Sequence, residues 1–319
     1  MKLGWNSDTE WRKYMEYAIY KLDFSTGVHF GTGTLNQTEY TLAADQLFSA
    51  LYIEAVKMGK EKQLLEASST GKLLFSDLLP YIGNQYMIPK PMIYVEPKEQ
   101  GVSSQKKMFK KIKYIPVDWL QSFLDGTMDV SNNPMEQFGV YQQQTMASVR
   151  GKEDAVPFRV GTFYFNESCG LYVLLAYESR NEKELAEILL EAVSYTGVGG
   201  KKSSGLGKYT LIPKKIPDQY LERLQQDVTN RRVMTLSVCL PMNQELDRVL
   251  ERASYQLIKR SGFVASATFA DEPKRKRDLF AFSSGSCFYG SFRGDIYDVA
   301  VNGIHPVYRY AKPLLISLV

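Results

Sequence analysis

Residues 197–208 read GVGGKKSSGLGK, with five glycines, three lysines and two serines. Glycine admits positive φ and turns successive N–H groups outward, serine adds hydroxyl donors, and lysine supplies charge, so such a loop suits phosphate oxygens. Upstream, Asn181 with the carboxylates at 182 and 184 reads as a helix start, and Leu185, Ile188, Leu189, Ala192 and Val193 recur at helical spacing. Gly197 closes that helix, and residues 208–212 alternate as a strand. The order is helix, glycine loop, strand.

That order excludes the two commonest nucleotide loops, which run strand, loop, helix and seat phosphate at a helix N-terminus. A P-loop ending at Gly207 and Lys208 would want glycine at 202 and a hydroxyl at 209, where Lys202 and Tyr209 stand; a dinucleotide fingerprint starting at Gly197 also needs glycine at 202. The preceding helix presents its carbonyl end, so the lysines must overcome its dipole. An extended chain of phosphates fits better than one cradled nucleotide. A solvated turn, glycine-rich for conformational reasons alone, is the competing reading.

The pattern GxGGKKSSGLG after a helix resembles the signature loop of the RAMP superfamily of CRISPR proteins. Residues 28–35 (VHFGTGTL), 44–51 (ADQLFSAL), 88–91 (IPKP), 261–263 (SGF) and 310–314 (YAKPL) are similar to the family of guide-capping subunits, the fourth in the type III-A Csm effector complex. The resemblance spans about residues 15–319. It implies an α+β chain of two ferredoxin-like (RRM-like) domains with an inserted β-hairpin thumb. It also implies a non-catalytic, antiviral RNA-binding subunit that holds the repeat-derived five-prime handle of the crRNA and meets target RNA near the thumb. The large polymerase/nuclease subunit and the backbone RAMP subunit would be its protein partners, and no cofactor is called for.

Composition agrees without adding to this. A length of 319 residues, 44% hydrophobic and 23% charged, suits a globular chain of two domains. A net charge of +4 is mild, so any nucleic-acid surface is a local patch. Cys169, Cys239 and Cys287 are far apart and only two histidines occur, which argues against disulfides and zinc. No apolar run reaches the roughly 18 residues of a membrane span, which points to a cytoplasmic protein without membrane partners.

Residues 1–14, with Trp5 and Trp11, have no clean period and read as an extension. The first domain is expected over 15–212: a strand at 16–24 with Ala18, Tyr20, Leu22 and Phe24 on one face, then a helix opened by Asp45 and striped by Leu47, Phe48, Leu51, Tyr52, Ala55 and Val56. An insertion over about 60–165 is expected to include a hairpin from 139 to 165, whose tip carries Arg150 and Lys152. The second domain, mostly β, is expected over 213–319 after a proline-bracketed linker.

His29, in a Gly/Thr loop, is the sharpest enzymatic candidate because imidazole titrates near neutrality. The alternative function is therefore a crRNA-processing endoribonuclease with His29 as general base, although no second proton-transfer group stands near it. Loop 25–43, where the target-cutting RAMP subunit holds an aspartate, has Glu39 as its single carboxylate. Asp45 reads as a first-turn helix carboxylate.

The candidate RNA contacts start with His29 and Gly31 and centre on Gly199, Gly200, Lys201, Lys202, Ser203, Ser204 and Lys208. Lys90 between two prolines, Lys259, Arg260 and Phe263 complete the set, the last three pairing cations with a stacking ring. The runs 106–113 and 274–277 are either further patches or solvated loops.

Overall fold

In this computed structural model the described residues are 12, 14–98, 103–129, 131, 133–148, 156–266, 269–270 and 272–319. Trp5, Trp11 and the hairpin tip with Arg150 and Lys152 lie outside them.

Strand β1 (Glu16–Phe24) forms where alternation predicts it, yet both of its faces find cover. Ala18, Tyr20, Leu22 and Phe24 join one core, Tyr17 and Ile19 another. A loop with the short pair β2 (Phe30–Gly31) and β3 (Thr38–Glu39) leads to α1 (Ala44–Lys57). Leu47, Phe48, Leu51 and Ala55 of α1 are buried, while Val56 at the edge of the expected stripe is exposed. Then follow α2 (Glu61–Ser69), β4 (Leu73–Phe75), β5 (Leu79–Ile82), β6 (Gln85–Pro89), α3 (Ser103–Lys111), β7 (Tyr114–Pro116) and α4 (Leu120–Leu124). The hairpin β8 (Gly139–Ser148) and β9 (Val156–Phe165) precedes β10 (Cys169–Tyr177), α5 (Arg180–Thr196) and β11 (Tyr209–Lys214).

The main sheet is antiparallel, in the order β11, β1, β10, β5, β6, β7, with β4 also pairing β10. The expectation of one insertion over 60–165 needs correction: β4 to β7 are sheet strands, and β8–β9 alone forms a separate ribbon. These strands are short and buried, so they lack the polar alternation that marks a half-exposed strand. Central β10, CGLYVLLAY, is buried at every position for the same reason. Helices α1 and α5 cover one face of the sheet; Leu236, Leu314 and Ile316 of the C-terminal half cover the other.

After β11 comes α6 (Asp218–Gln225), a helix the sequence reading did not anticipate, because Pro213 and Pro217 suggested only a linker. Its Tyr220 packs against the sheet and shares a hydroxyl contact of 3.1 Å with Tyr172. The remainder comprises β12 (Arg232–Thr235), α7 (Leu246–Leu250), β13 (Leu257–Arg260), β14 (Leu279–Phe282), β15 (Cys287–Tyr289), β16 (Asp295–Asp298), β17 (Tyr308–Ala311) and β18 (Leu315–Ser317). These strands are shorter than the alternation suggested. They form a three-stranded sheet, β15-β12-β18, and the ribbons β13-β14 and β16-β17.

Two buried carboxylates fasten the halves together. The N-cap position of α1 is Ala43, which has no capping side chain; Asp77 caps it remotely, accepting the Ala44 N–H at 2.7 Å and the Val238 N–H at 2.9 Å. Burial pushes the Asp77 carboxyl up to about 6 in spite of those bonds. Asp45 does more than open a helix. It accepts from Arg260 Nε at 3.0 Å and Nη2 at 2.7 Å, and also from Arg309 Nη1. Among the described residues no helix is long and apolar enough to cross a membrane.

Candidate nucleic-acid interface

Helix α5 starts two residues before the expected cap. Ser179 Oγ accepts the Asn181 N–H at 3.2 Å and donates to Glu182 Oε2 at 2.5 Å. At its other end Gly197 takes φ +83°, followed by Gly199 at +94°, Lys201 at +57°, Gly205 at +84° and Gly207 at +79°. The loop is not a solvated turn. The Gly200 N–H donates to the His29 carbonyl at 2.8 Å, the Gly207 N–H to the Gly27 carbonyl at 2.9 Å, and the Val198 N–H to the Gly207 carbonyl at 2.9 Å. A Cβ on Gly207 would stand 2.0 Å from the Val198 oxygen, and one on Gly200 2.7 Å from His29 Cδ2. Glycine thus lets the loop seat directly on the turn at residues 27–29.

The amides of Gly200, Ser204, Gly205, Leu206 and Gly207 point inward to carbonyls. Those of Gly199, Lys201, Lys202 and Ser203 have no acceptor among the described residues. Left-handed Lys201 followed by the 3-10 turn Lys202–Ser204 sets successive N–H groups around a concavity, the arrangement that binds anions. Ser203, Ser204 and Lys208 are exposed, and Lys201 and Lys202 are half-exposed. Lys201 Nζ lies 4.8 Å over the ring of Phe158 on β9, joining the loop to the hairpin.

His29 is buried between them. Its Nδ1 is 2.7 Å from the Gly161 carbonyl of β9, and since a carbonyl only accepts, Nδ1 carries the proton. With 5% of its surface exposed, the ring works as a joint between loop and hairpin. Gly31 lies beside it, where a Cβ would approach His29 Nε2 to 3.1 Å.

The other expected contacts lie apart from this cluster. Lys90 donates to the Phe109 carbonyl at 2.5 Å and lies 4.6 Å over that ring, at the β6–β7 end of the sheet away from β11. Burial lowers its ammonium below the usual lysine range. Lys259 pairs with Asp278 at 2.7 Å. Arg260 is engaged by Asp45, so the expectation of a free cation there is corrected: a buried carboxylate 215 residues away in sequence holds it. Phe263 is exposed, with the Arg275 guanidinium 5.4 Å from its ring centre. Sequence reasoning missed Phe158 and Arg275 as partners of Lys201 and Phe263. Strand pairing brings these together, and no local motif marks it.

Comparison with known proteins decides the family. Residues 229–318 match the family model described as the CRISPR Csm4 C-terminal domain. Over 307 residues the chain is 42% identical to the "CRISPR system Cms protein Csm4" of Mycobacterium tuberculosis, covering 95% of this chain and 98% of that protein. The chain belongs to the Csm4 family. The Csm4 of Streptococcus thermophilus is 33% identical over 314 residues, covering 95% of this chain and 99% of that one. Among solved structures, the Csm3–Csm4 subcomplex of a type III-A CRISPR-Cas interference complex matches with a TM-score of 0.65 at 19% identity, over 94% of this chain and 99% of that one. A Csm1–Csm4 cassette in complex with cA4 matches with a TM-score of 0.60 at 17% identity, over 95% and 98%. At such identities the likeness concerns the fold, a mixed α+β Csm4 architecture of antiparallel sheets.

Proposed function

We propose that this chain is the non-catalytic, guide-gripping subunit of a type III-A Csm effector complex. It holds the repeat-derived five-prime handle of the crRNA through its phosphates and docks the large polymerase/nuclease subunit and the backbone RAMP subunit. The solved relatives described as Csm3–Csm4 and Csm1–Csm4 assemblies support the pairing with those two neighbours. We read residues 15–212 as a ferredoxin-like (RRM-like) domain, since β11, β1, β10 and β5 follow the order last, first, third, second with α1 and α5 on one face. Residues 213–319 form the second domain, and β8–β9 is the thumb beside target RNA.

One observation carries this reading: four unsatisfied amides and two lysines share one concave loop that is fixed to residues 27–29 and to the hairpin. Such a device binds phosphate without regard to sequence, so it grips a backbone. The expected test outcome is that Lys201→Ala with Lys202→Ala weakens guide binding and lowers the slope of log affinity against log salt by about one. An unchanged slope sinks the phosphate role. In the same assay, labelled repeat RNA stays intact. Metal-independent cutting that disappears in His29→Ala would replace this reading with the endoribonuclease.

A further inference from the structure

Strand alternation puts Phe158, under Lys201, and Gly161 on opposite faces of β9. On the Gly161 side, between the turn at 32–39 and the hairpin, lies a groove of about 320 Å³ lined by Thr32, Asn36, Glu39, Tyr141, Gln143 and Gly161. Its shape is fixed. The Gly161 N–H donates to the Leu35 carbonyl at 2.8 Å, Gln143 Nε2 donates to the Asn36 carbonyl at 3.3 Å, and a Cβ on Gly161 would meet the Asn36 oxygen at 2.6 Å.

Tyr141 is held edge-on against Phe163 at 4.8 Å and Tyr40 at 6.5 Å, yet 59% of its surface is exposed, so it offers a supported aromatic plate. The Glu39 carboxylate has no hydrogen-bond partner among the described residues. Burial first, and the Glu39 charge second, push the Tyr141 hydroxyl up to about 12, which leaves the phenol a neutral donor beside an anion. A carboxylate repels phosphate and only accepts hydrogen bonds. The ligand for this groove is therefore flat, with N–H donors side by side on one edge. Among the nucleobases guanine alone has that edge, N1–H next to the 2-amino group; adenine and cytosine set an amino group beside a ring acceptor, and uracil sets one N–H between carbonyls.

We propose that this groove is a pocket for an unpaired guanosine of RNA, its base stacked on Tyr141 and its N1–H and 2-amino group donated to Glu39. The proposal rests on the RNA-binding reading above. The glycine loop then grips the backbone on one side of the hairpin while the groove reads a base on the other.

The test uses the full chain and three labelled oligoadenylates, one with a central guanosine, one with inosine there, and one unsubstituted, in fluorescence anisotropy at fixed salt. Guanosine is expected to bind about tenfold more tightly than adenosine, with most of that gain lost for inosine, which lacks the 2-amino group. Glu39→Gln is expected to abolish the preference without changing affinity for plain oligoadenylate or the melting temperature. Equal binding of all three RNAs by the wild-type chain, or a preference that survives Glu39→Gln, overturns the pocket and leaves the backbone grip standing. Absence of binding to every RNA overturns both. 6-Thioguanosine placed either in the guide or in the target, with crosslinking to Tyr141, identifies the strand that supplies the base; no crosslink from either contradicts the proposal.

Discussion

Asp77 sits fully buried at the start of α1, with two backbone N–H groups on one of its oxygens. Burial raises its carboxyl from 3.8 to about 6, so the folded state binds the proton more tightly than the unfolded chain. Its contribution is most favourable below the unfolded value and is lost as pH rises through the folded one. The pH window is therefore about 4 to 6, and the cost of ionisation at neutral pH is on the order of 3 kcal/mol. Asp77→Asn keeps an oxygen that can accept both amides and removes the charge. Urea denaturation across that window should show a variant more stable at pH 7 and without the wild-type gain on acidification; parallel profiles for the two proteins would refute this account. Nothing in the sequence around Asp77 signals this role. Its partners come from residues 44 and 238, and only the packed structure joins them.

At the level of elements, β1, α1, α5 and the glycine loop were legible because each carries a local periodicity or a stop residue, such as Gly197 with its positive φ. The hairpin was also legible, over 139–165. Strands β4 to β7 were not, because elements of three to five residues that are covered by neighbours lose the alternation that exposes a strand to reading. Helix α6 was hidden by the prolines ahead of it. The candidate site was legible as a composition at 197–208, but its orientation was not. That His29 would become a buried joint, and that four amides would stay free, depends on contacts between residues 27–29, 161 and 197–207 that no spacing rule gives. Likewise, Arg260 read as a cation for RNA because its partner Asp45 lies in another element.

For the whole molecule, the Asp45 pair with Arg260 and Arg309 links α1 to the ribbons β13-β14 and β16-β17. The Asp45 side chain is 1% exposed and that of Arg309 6%, so removing the carboxylate leaves two cations with little water to replace it. Asp45→Asn is expected to cost about 3–5 kcal/mol in equilibrium denaturation, the scale of a broken buried pair. A loss under about 1 kcal/mol would mean that the halves are joined mainly by their apolar contacts. The same clamp fixes the C-terminal half on the main sheet while the glycine loop and the hairpin stay open on the outside. Phosphate grip and base reading thus share one rigid frame.

The most direct test of that grip is ultraviolet crosslinking of the guide-loaded protein, mapped by residue and by nucleotide. The five-prime handle is expected to crosslink within residues 199–204 and to Phe158 of the hairpin. Handle crosslinks confined to the surface around Phe263 and Arg275, with none in the glycine loop, would contradict it.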